Sequence, residues 1–401
     1  SKEKLDFGFV FCGQGAQHVN MGYDLCESFP VFKNKILECD KIWKSITNVS
    51  FIEKTKLFLP EFKNLPKTDL INQPIIAQPA TFFYQVSLFE LYKSFNLTPS
   101  VLIGHSAGEL ASFYASGAIS LEDAIEFAYY RSVYQNETFG KGNMIVISKS
   151  FDDLKTIVEN NFLQNFEIAC INDVNSIVLT STKSNILKLK DILDEENIFN
   201  AIIRGDCPFH SSFQDKIKEK IIKCSKKIKF KQPTIPLIST VFGDYVTLNN
   251  YDDEYWWKNV RQPVLFFDGI KCMNYIDIFV EIGPHPVLKN NILSTFENIE
   301  VFSSSNRKED SSLVFMNTLA NLWASGSDIN KENFGIPNNK YYHKHVWNHK
   351  TYNNIPLVSS NRRMGIVNPL NLIQFNVNKY SYISDHIIDN KFIFPTVGYI
   401  D

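Results

Sequence analysis

Residues 101–110 read VLIGHSAGEL. A short apolar run meets Gly-x-Ser-x-Gly, the pattern in which a strand ends, the chain turns sharply and a helix begins with the serine hydroxyl at the apex. That local geometry constrains the fold. A strand feeding directly into a helix belongs to alternating strand–helix architecture, in which helices cover a mostly parallel sheet. It also makes Ser106 a candidate nucleophile, against the plainer reading of a serine in a tight turn. The choice between the two depends on which distant residues serve it.

The surrounding chain fits this architecture. FGFVFCGQG (7–15) reads as a short buried strand ending in a Gly-punctuated turn, the stretch 74–95 as a helix, and 101–104 as the strand before the elbow. TIPLIST and IDIFVEIG read as later strands of the same sheet. Between the elbow and these strands, residues 144–206 run strand, helix, strand, strand, helix, strand, the β-α-β-β-α-β order of a ferredoxin-like unit inserted into the larger one. The expected fold class is therefore α/β: a parallel-sheet subdomain (1–143 and 207–302) with a ferredoxin-like insert (144–206). From residue 303 the chain turns polar, and 303–365 reads as a linker wrapped over a surface, with one helix near its start. Residues 366–401 turn apolar again and read as the start of another unit. The chain begins with Ser and stops in FPTVGYID, which suggests an excised piece of a longer protein.

Composition narrows the function classes. With 44% apolar residues and 33 Phe the chain can build sizeable cores, and 41 Lys plus Arg against 43 Asp plus Glu give no strong field for nucleic acid or an anionic membrane. Seven Cys, scattered and without a C-x-x-C pair, suit reduced thiols in a cytoplasmic setting. No apolar run approaches the length of a membrane span.

A serine nucleophile needs a base and donors for an oxyanion. His105 adjoins Ser106, but neighbours in an elbow project differently. His18 reads as a surface histidine, and His285 in EIGPHPVL as part of a structural corner. His343, His345 and His349 have ligand-like spacing without Cys or carboxylate nearby, so no metal is expected. His210 in RGDCPFHSSF follows the last strand of the insert, where the chain re-enters the main unit and a cleft is expected; it is the best candidate base. GQGAQ (13–17) lacks the third glycine of a dinucleotide fingerprint, and its turn is better suited to presenting backbone N–H groups to a cleft. Arg131 in AYYRSVYQ lies on an apolar helix; if buried toward the cleft it needs a carboxylate partner.

In order, FVFCGQGAQHVNMG, GHSAGELASFYASGAISLEDAI, YYRS, CPFHSSF, WWKNVRQPVLF and VEIGPHPVL resemble the acyltransferase domain of polyketide synthases and the related fatty acid synthases, over roughly residues 7–300. The resemblance implies a hydrolase-like α/β subdomain with an inserted ferredoxin-like one. It implies Ser106 as nucleophile, His210 as base, and the amides of Gln14 and Ala107 as oxyanion donors. Gln262, near the RQPV motif, is implicated in orienting the histidine and in the substrate site. Arg131 matches an arginine that clamps the free carboxylate of a malonyl-type unit, and Asn172 a cleft-lining asparagine. Phe209, before the base, matches the malonyl-type pattern, whereas Cys207 and Pro208 depart from the usual ones.

The activity so implied moves a malonyl-type unit from a coenzyme A thioester, through an acyl-serine, to the phosphopantetheine thiol of an acyl carrier protein. No permanently bound cofactor is expected. The partners implied are malonyl-CoA, a carrier domain and neighbouring condensing and dehydratase domains. YYHKHVWNHKTYNN resembles the linker that follows such a domain, and HIIDNKFIFP a dehydratase opening motif, with His386 at the catalytic histidine, Pro395 at the proline and Asn390 in place of glycine. Two rival readings remain: a serine hydrolase or thioesterase built on the same elbow, and a non-catalytic docking module.

Overall fold

The computed structural model describes residues 6–330 and two short strands near the C-terminus. In chain order the strands are β1 (Phe7–Phe11), β2 (Val101–Gly104), β3 (Asn143–Ile147), β4 (Glu167–Asp173), β5 (Ser176–Ser181), β6 (Asn200–Ile202), β7 (Leu237–Ser239), β8 (Asp244–Tyr245), β9 (Ile278–Ile282) and β10 (Glu300–Ser303), followed by β11 (Ile387–Ile388) and β12 (Lys391–Phe392).

Six of them form one sheet in the order β10-β9-β1-β2-β7-β8, parallel except for β8 at its edge. β1 and β9 are buried at every position, as expected of strands covered on both faces. One cover is the helix Pro74–Ser94, and Phe9 of β1 packs 4.9 Å from Tyr92 on it. Aromatic edges and faces fill this side of the core.

The insert forms a separate four-stranded antiparallel sheet, β4-β5-β3-β6, with two helices, Phe151–Asn160 and Lys183–Glu195. Its strands alternate faces. Ile145 and Ile147 join Leu154, Leu189 and Leu193 in the insert's own core, while Met144 and Val178 turn toward Val10 and Ile103 of the large sheet. The second face of the insert thus becomes a wall of the molecule's interior.

The segment after residue 302 departs from the surface linker expected there. The helix Ser311–Ala324 drops Phe315, Leu319 and Leu322 into the main core, with Phe315 4.8 Å from Tyr92. The Ser run before it looks polar in sequence, yet Ser304 and Ser305 are buried because they bond the hydroxyls of Tyr92 (2.9 Å) and Tyr84 (2.6 Å). Described by itself, β11 pairs antiparallel with β12, Ile387 opposite Phe392 and Ile388 opposite Lys391. His386, Asn390 and Pro395, like His343, His345 and His349, lie outside the described residues, as does the rest of the expected linker and dehydratase-like segment. Among the described residues no helix is long and apolar enough to cross a membrane.

Candidate active site

The elbow forms as the sequence requires. β2 ends at Gly104, Ser106 takes a left-handed φ of 53°, a single 3-10 turn spans Ser106–Gly108, and the helix Glu109–Ala115 follows. A Cβ on Gly104 would land on the backbone of Glu109, and one on Gly108 on the carbonyls of Phe11 and Cys12. Both glycines are therefore obligatory, because strand and helix backbones pass each other there with no room for a side chain. Positive φ at a non-glycine residue costs on the order of 1–3 kcal/mol and is held only by surrounding packing.

The structure brings His210 to Ser106. Ser106 Oγ lies 2.7 Å from His210 Nε2, and His210 Nδ1 lies 2.9 Å from the main-chain oxygen of Gln262. A carbonyl only accepts, so Nδ1 carries the proton and Nε2 presents a lone pair to the serine hydroxyl. Burial, reinforced by the charge of Arg131, lowers the pKa of His210 to about 3, so the imidazole is neutral at neutral pH and able to act as a base. A peptide oxygen thus occupies the place a carboxylate takes in a catalytic triad. The side chain of Gln262 is exposed, so its place in the site is that of its backbone. Two residues on, Val264 is stitched to β4: its N–H donates to Ala169 O and its carbonyl accepts from Ile171 N, both at 2.9 Å.

His105 is engaged elsewhere. Its Nε2 lies 2.8 Å from Oδ1 of Asn172 on β4, which ties the residue before Ser106 to the insert. The backbone N–H groups of Gln14 and Ala107 take part in no hydrogen bond among the described residues. The Gln14 side chain is held by donating to Asn72 O at 3.1 Å, and Gly13 packs against the His105 backbone. His18 is half-buried rather than a surface residue; burial lowers its pKa to about 4, and it faces Pro284 and His285.

Arg131 is 3% exposed, so it does not snorkel to solvent. Nη1 donates to Gln78 Oε1 at 2.7 Å and Nη2 to Asn259 Oδ1 at 3.2 Å, while Nε has no partner among the described residues. Among the described residues no ion pair includes Arg131; the buried Glu109 carboxylate acts on its charge from across Asn259 without touching it. Burial lowers its pKa to about 10, which leaves it charged at neutral pH. It is not among the residues that line the cleft.

Two residues unremarked in the sequence complete this region. Glu109, fully buried, accepts from Tyr255 Oη (2.7 Å), Asn259 Nδ2 (3.0 Å), and both the N–H and hydroxyl of Thr240. Burial raises its pKa, and those donors oppose the rise. Asn259 also donates to the carbonyl of Ser106 at 3.1 Å. Both lie inside motifs already conspicuous, Glu109 in GHSAGEL and Asn259 in WWKNVRQPV. Burial is the signal that the sequence could not supply.

Between the two subdomains lies a cleft of about 280 Å³ whose lining includes Gln14, Ser106, Asn172, Phe209 and His210, with Arg204 at an exposed position. Phe209 is buried and packs with Met144 and Val178 of the insert. Among the described residues no three His, Cys, Asp or Glu side chains stand together as a metal site would require.

The chain is similar to known proteins in sequence and in fold. Residues 8–326 match the family described as the acyl transferase domain. A probable polyketide synthase 23 of Dictyostelium discoideum is 31% identical over 437 residues, covering 98% of this chain and 17% of that protein. A probable polyketide synthase 2 of the same organism is 35% identical over 346 residues, covering 80% of this chain and 11% of that protein. The chain thus spans less than a fifth of the length of these relatives. Among solved structures, the acyltransferase domain from the second module of the salinomycin polyketide synthase superposes with a TM-score of 0.74 at 25% identity, covering 83% of this chain and 76% of that one. A malonyl CoA-acyl carrier protein transacylase from Clostridium perfringens shares the fold, with a TM-score of 0.67 at 24% identity over 80% of this chain and 98% of that one.

Proposed function

The chain belongs to the acyl transferase domain family, and from that premise we propose that it is the acyltransferase segment of a polyketide synthase, moving a malonyl-type unit between two thiols. His210 Nε2 accepts the proton of Ser106 Oγ as that oxygen attacks the thioester carbonyl of an acyl-coenzyme A. The oxyanion of the tetrahedral intermediate is held by the N–H groups of Gln14 and Ala107. When the intermediate collapses, the C–S bond breaks, His210 returns the proton to the departing thiolate, and the acyl group remains as an ester on Ser106. In the second half the phosphopantetheine thiol of a carrier domain gives its proton to His210, its sulfur attacks the ester carbonyl, and Ser106 leaves and regains the proton.

The observation that carries this reading is the 2.7 Å contact between Ser106 and His210, with the far side of the imidazole fixed by the Gln262 carbonyl. The malonyl-type substrate is argued from Arg131. A buried guanidinium held only by neutral amides keeps its full charge for an anion, which meets it at Nε or by displacing one amide. Acyl groups without a carboxylate leave that charge unpaired and are disfavoured. Phe209 closes the acyl end of the cleft against bulkier units. Coenzyme A is the acyl donor, a carrier domain the acceptor, and condensing and dehydratase domains the neighbours in a longer chain.

Intact-mass spectrometry of the protein after mixing with malonyl-CoA tests the reading. A malonyl adduct is expected, absent in Ser106→Ala and discharged by a phosphopantetheinylated carrier protein. Steady release of free malonate in the presence of the carrier, with no transfer to it, would point instead to a hydrolase.

A further inference from the structure

Asn259 is 3% exposed, and both hydrogens and the oxygen of its side-chain amide are engaged in hydrogen bonds. One Nδ2 hydrogen reaches the carbonyl of Ser106, the other Oε2 of Glu109, and Oδ1 accepts from Nη2 of Arg131. The first bond matters beyond packing. The Ser106 carbonyl and the Ala107 N–H belong to one planar peptide, so fixing the carbonyl fixes the direction of that N–H. The third bond holds the guanidinium without neutralising it.

We propose that Asn259 is a positioning residue that couples the Ser106–Ala107 peptide to Arg131, so that one neutral amide sets both the oxyanion geometry and the preference for carboxylate-bearing acyl groups. The inference rests on the acyl-transfer reading above. Its chemistry depends on the amide being uncharged. An aspartate at this position would keep an acceptor for Arg131 but place a counter-charge on it, competing with the substrate carboxylate, and would lose the donors to the Ser106 carbonyl and to Glu109. An alanine would free the peptide and the guanidinium without adding charge. Glu109, through Tyr255 and Thr240, anchors the amide's far side so that the Nδ2 donors have one orientation.

The test compares wild type, Asn259→Ala and Asn259→Asp as the full 401-residue chain, measuring kcat and KM for Ser106 acylation from malonyl-CoA and acetyl-CoA. With acetyl-CoA, where Arg131 has no partner to meet, kcat is expected to fall on the order of tenfold in both variants, less than for outright loss of an oxyanion donor. The malonyl-to-acetyl ratio of kcat/KM is expected to fall in the order wild type, Ala, Asp, by on the order of tenfold or more at Asp. A merely structural role would lower both thioesters together and leave the ratio unchanged, and that result overturns the proposal. Asn259→Asp keeps the side chain's size, so the ratio stays readable if the alanine variant does not fold. Absence of any acyl adduct in wild type overturns the acyl-transfer reading and this inference with it; a labelled wild type with unaltered ratios in the variants overturns the inference alone.

Discussion

The two walls of the cleft are held by different physics. The wall that carries Ser106 is fixed by glycines with no room for a side chain and by a buried network running from Glu109 through Asn259 to Arg131. The insert wall presents the apolar face of its sheet to the cleft, while its far side leaves Phe162 89% and Phe199 70% exposed. Its polar attachment to the surroundings of Ser106 and His210 runs largely through one strand. Along β4, Glu167 accepts from Ser212 and pairs with Arg261, Ala169 and Ile171 bracket Val264, Asn172 holds His105, and Asp173 accepts from Asn291. The proposed nucleophile is thus set in the wall where close backbone approach leaves no room for a side chain. The other wall is tied to Ser212, two residues from His210, and to Arg261 and Val264, one and two residues from Gln262, where it can adjust the proposed base without carrying it.

The sharpest way to break this contrast is to remove the proposed base. His210→Ala should lower the rate of Ser106 acylation by about 10²–10⁴-fold, the usual range for a positioned general base, in single-turnover measurements with malonyl-CoA. No substitution confined to β4 should approach that loss. Because burial keeps His210 neutral, the acylation rate of wild type should stay level between pH 7.5 and 5 rather than fall by half near pH 6.5. A fall centred near pH 6.5 would show that the imidazole is solvated and the wall looser than described.

Burying a neutral histidine has a thermodynamic signature as well. In the unfolded chain the imidazole takes up a proton below its ordinary pKa of 6.5, while the folded protein refuses it until about pH 3. Between these values the unfolded state binds more protons, so stability is lost as pH falls. At pH 5 the loss from this group is roughly 2 kcal/mol relative to pH 7.5. Urea unfolding of wild type and His210→Gln at both pH values isolates it, because the remaining groups cancel in the difference. The gap between the two proteins should move by that amount in favour of the variant at pH 5; no movement would mean that His210 titrates normally in the folded state.

The same contrast explains what was legible in the sequence. The elbow is local geometry, so Gly104, Ser106 and Gly108 declare it, and strand–helix alternation and the insert's order follow from periodicity. Contacts carried by the backbone are silent to residue type: Gln262 meets His210 through its carbonyl, while its side chain is exposed. Burial inverted other readings. Arg131 on an apolar helix could snorkel outward or turn inward, and only packing decides; Glu109 and Asn259 look like ordinary helix residues until the desolvated network around them is seen. In the Ser-rich run after residue 302, two tyrosine hydroxyls accommodate serines that the polar composition had assigned to a surface. The Phe315, Leu319 and Leu322 stripe that follows was the available signal.

The smallest expected effect probes the stitches themselves. Glu167 Oε1 accepts from the N–H of Ser212 at 2.8 Å and from its hydroxyl, and Oε2 lies 3.1 Å from Arg261, so one partly exposed carboxylate holds the residues that flank both His210 and Gln262. A partly exposed ion pair contributes only about 0–1 kcal/mol, and Arg261 retains Asp215 at 2.8 Å when Glu167 is lost. Glu167→Ala should therefore lower kcat for acylation by less than about tenfold with KM little changed, since 1 kcal/mol corresponds to about a fivefold factor. Raising the salt concentration should lower wild-type kcat toward that of the variant, because screening acts on the ion pair that the variant lacks. Glu167→Gln, which keeps an oxygen for Ser212, should recover part of the loss. A drop as deep as that of His210→Ala would mean that β4 carries the base rather than adjusting it, and the distinction between the two walls would fail.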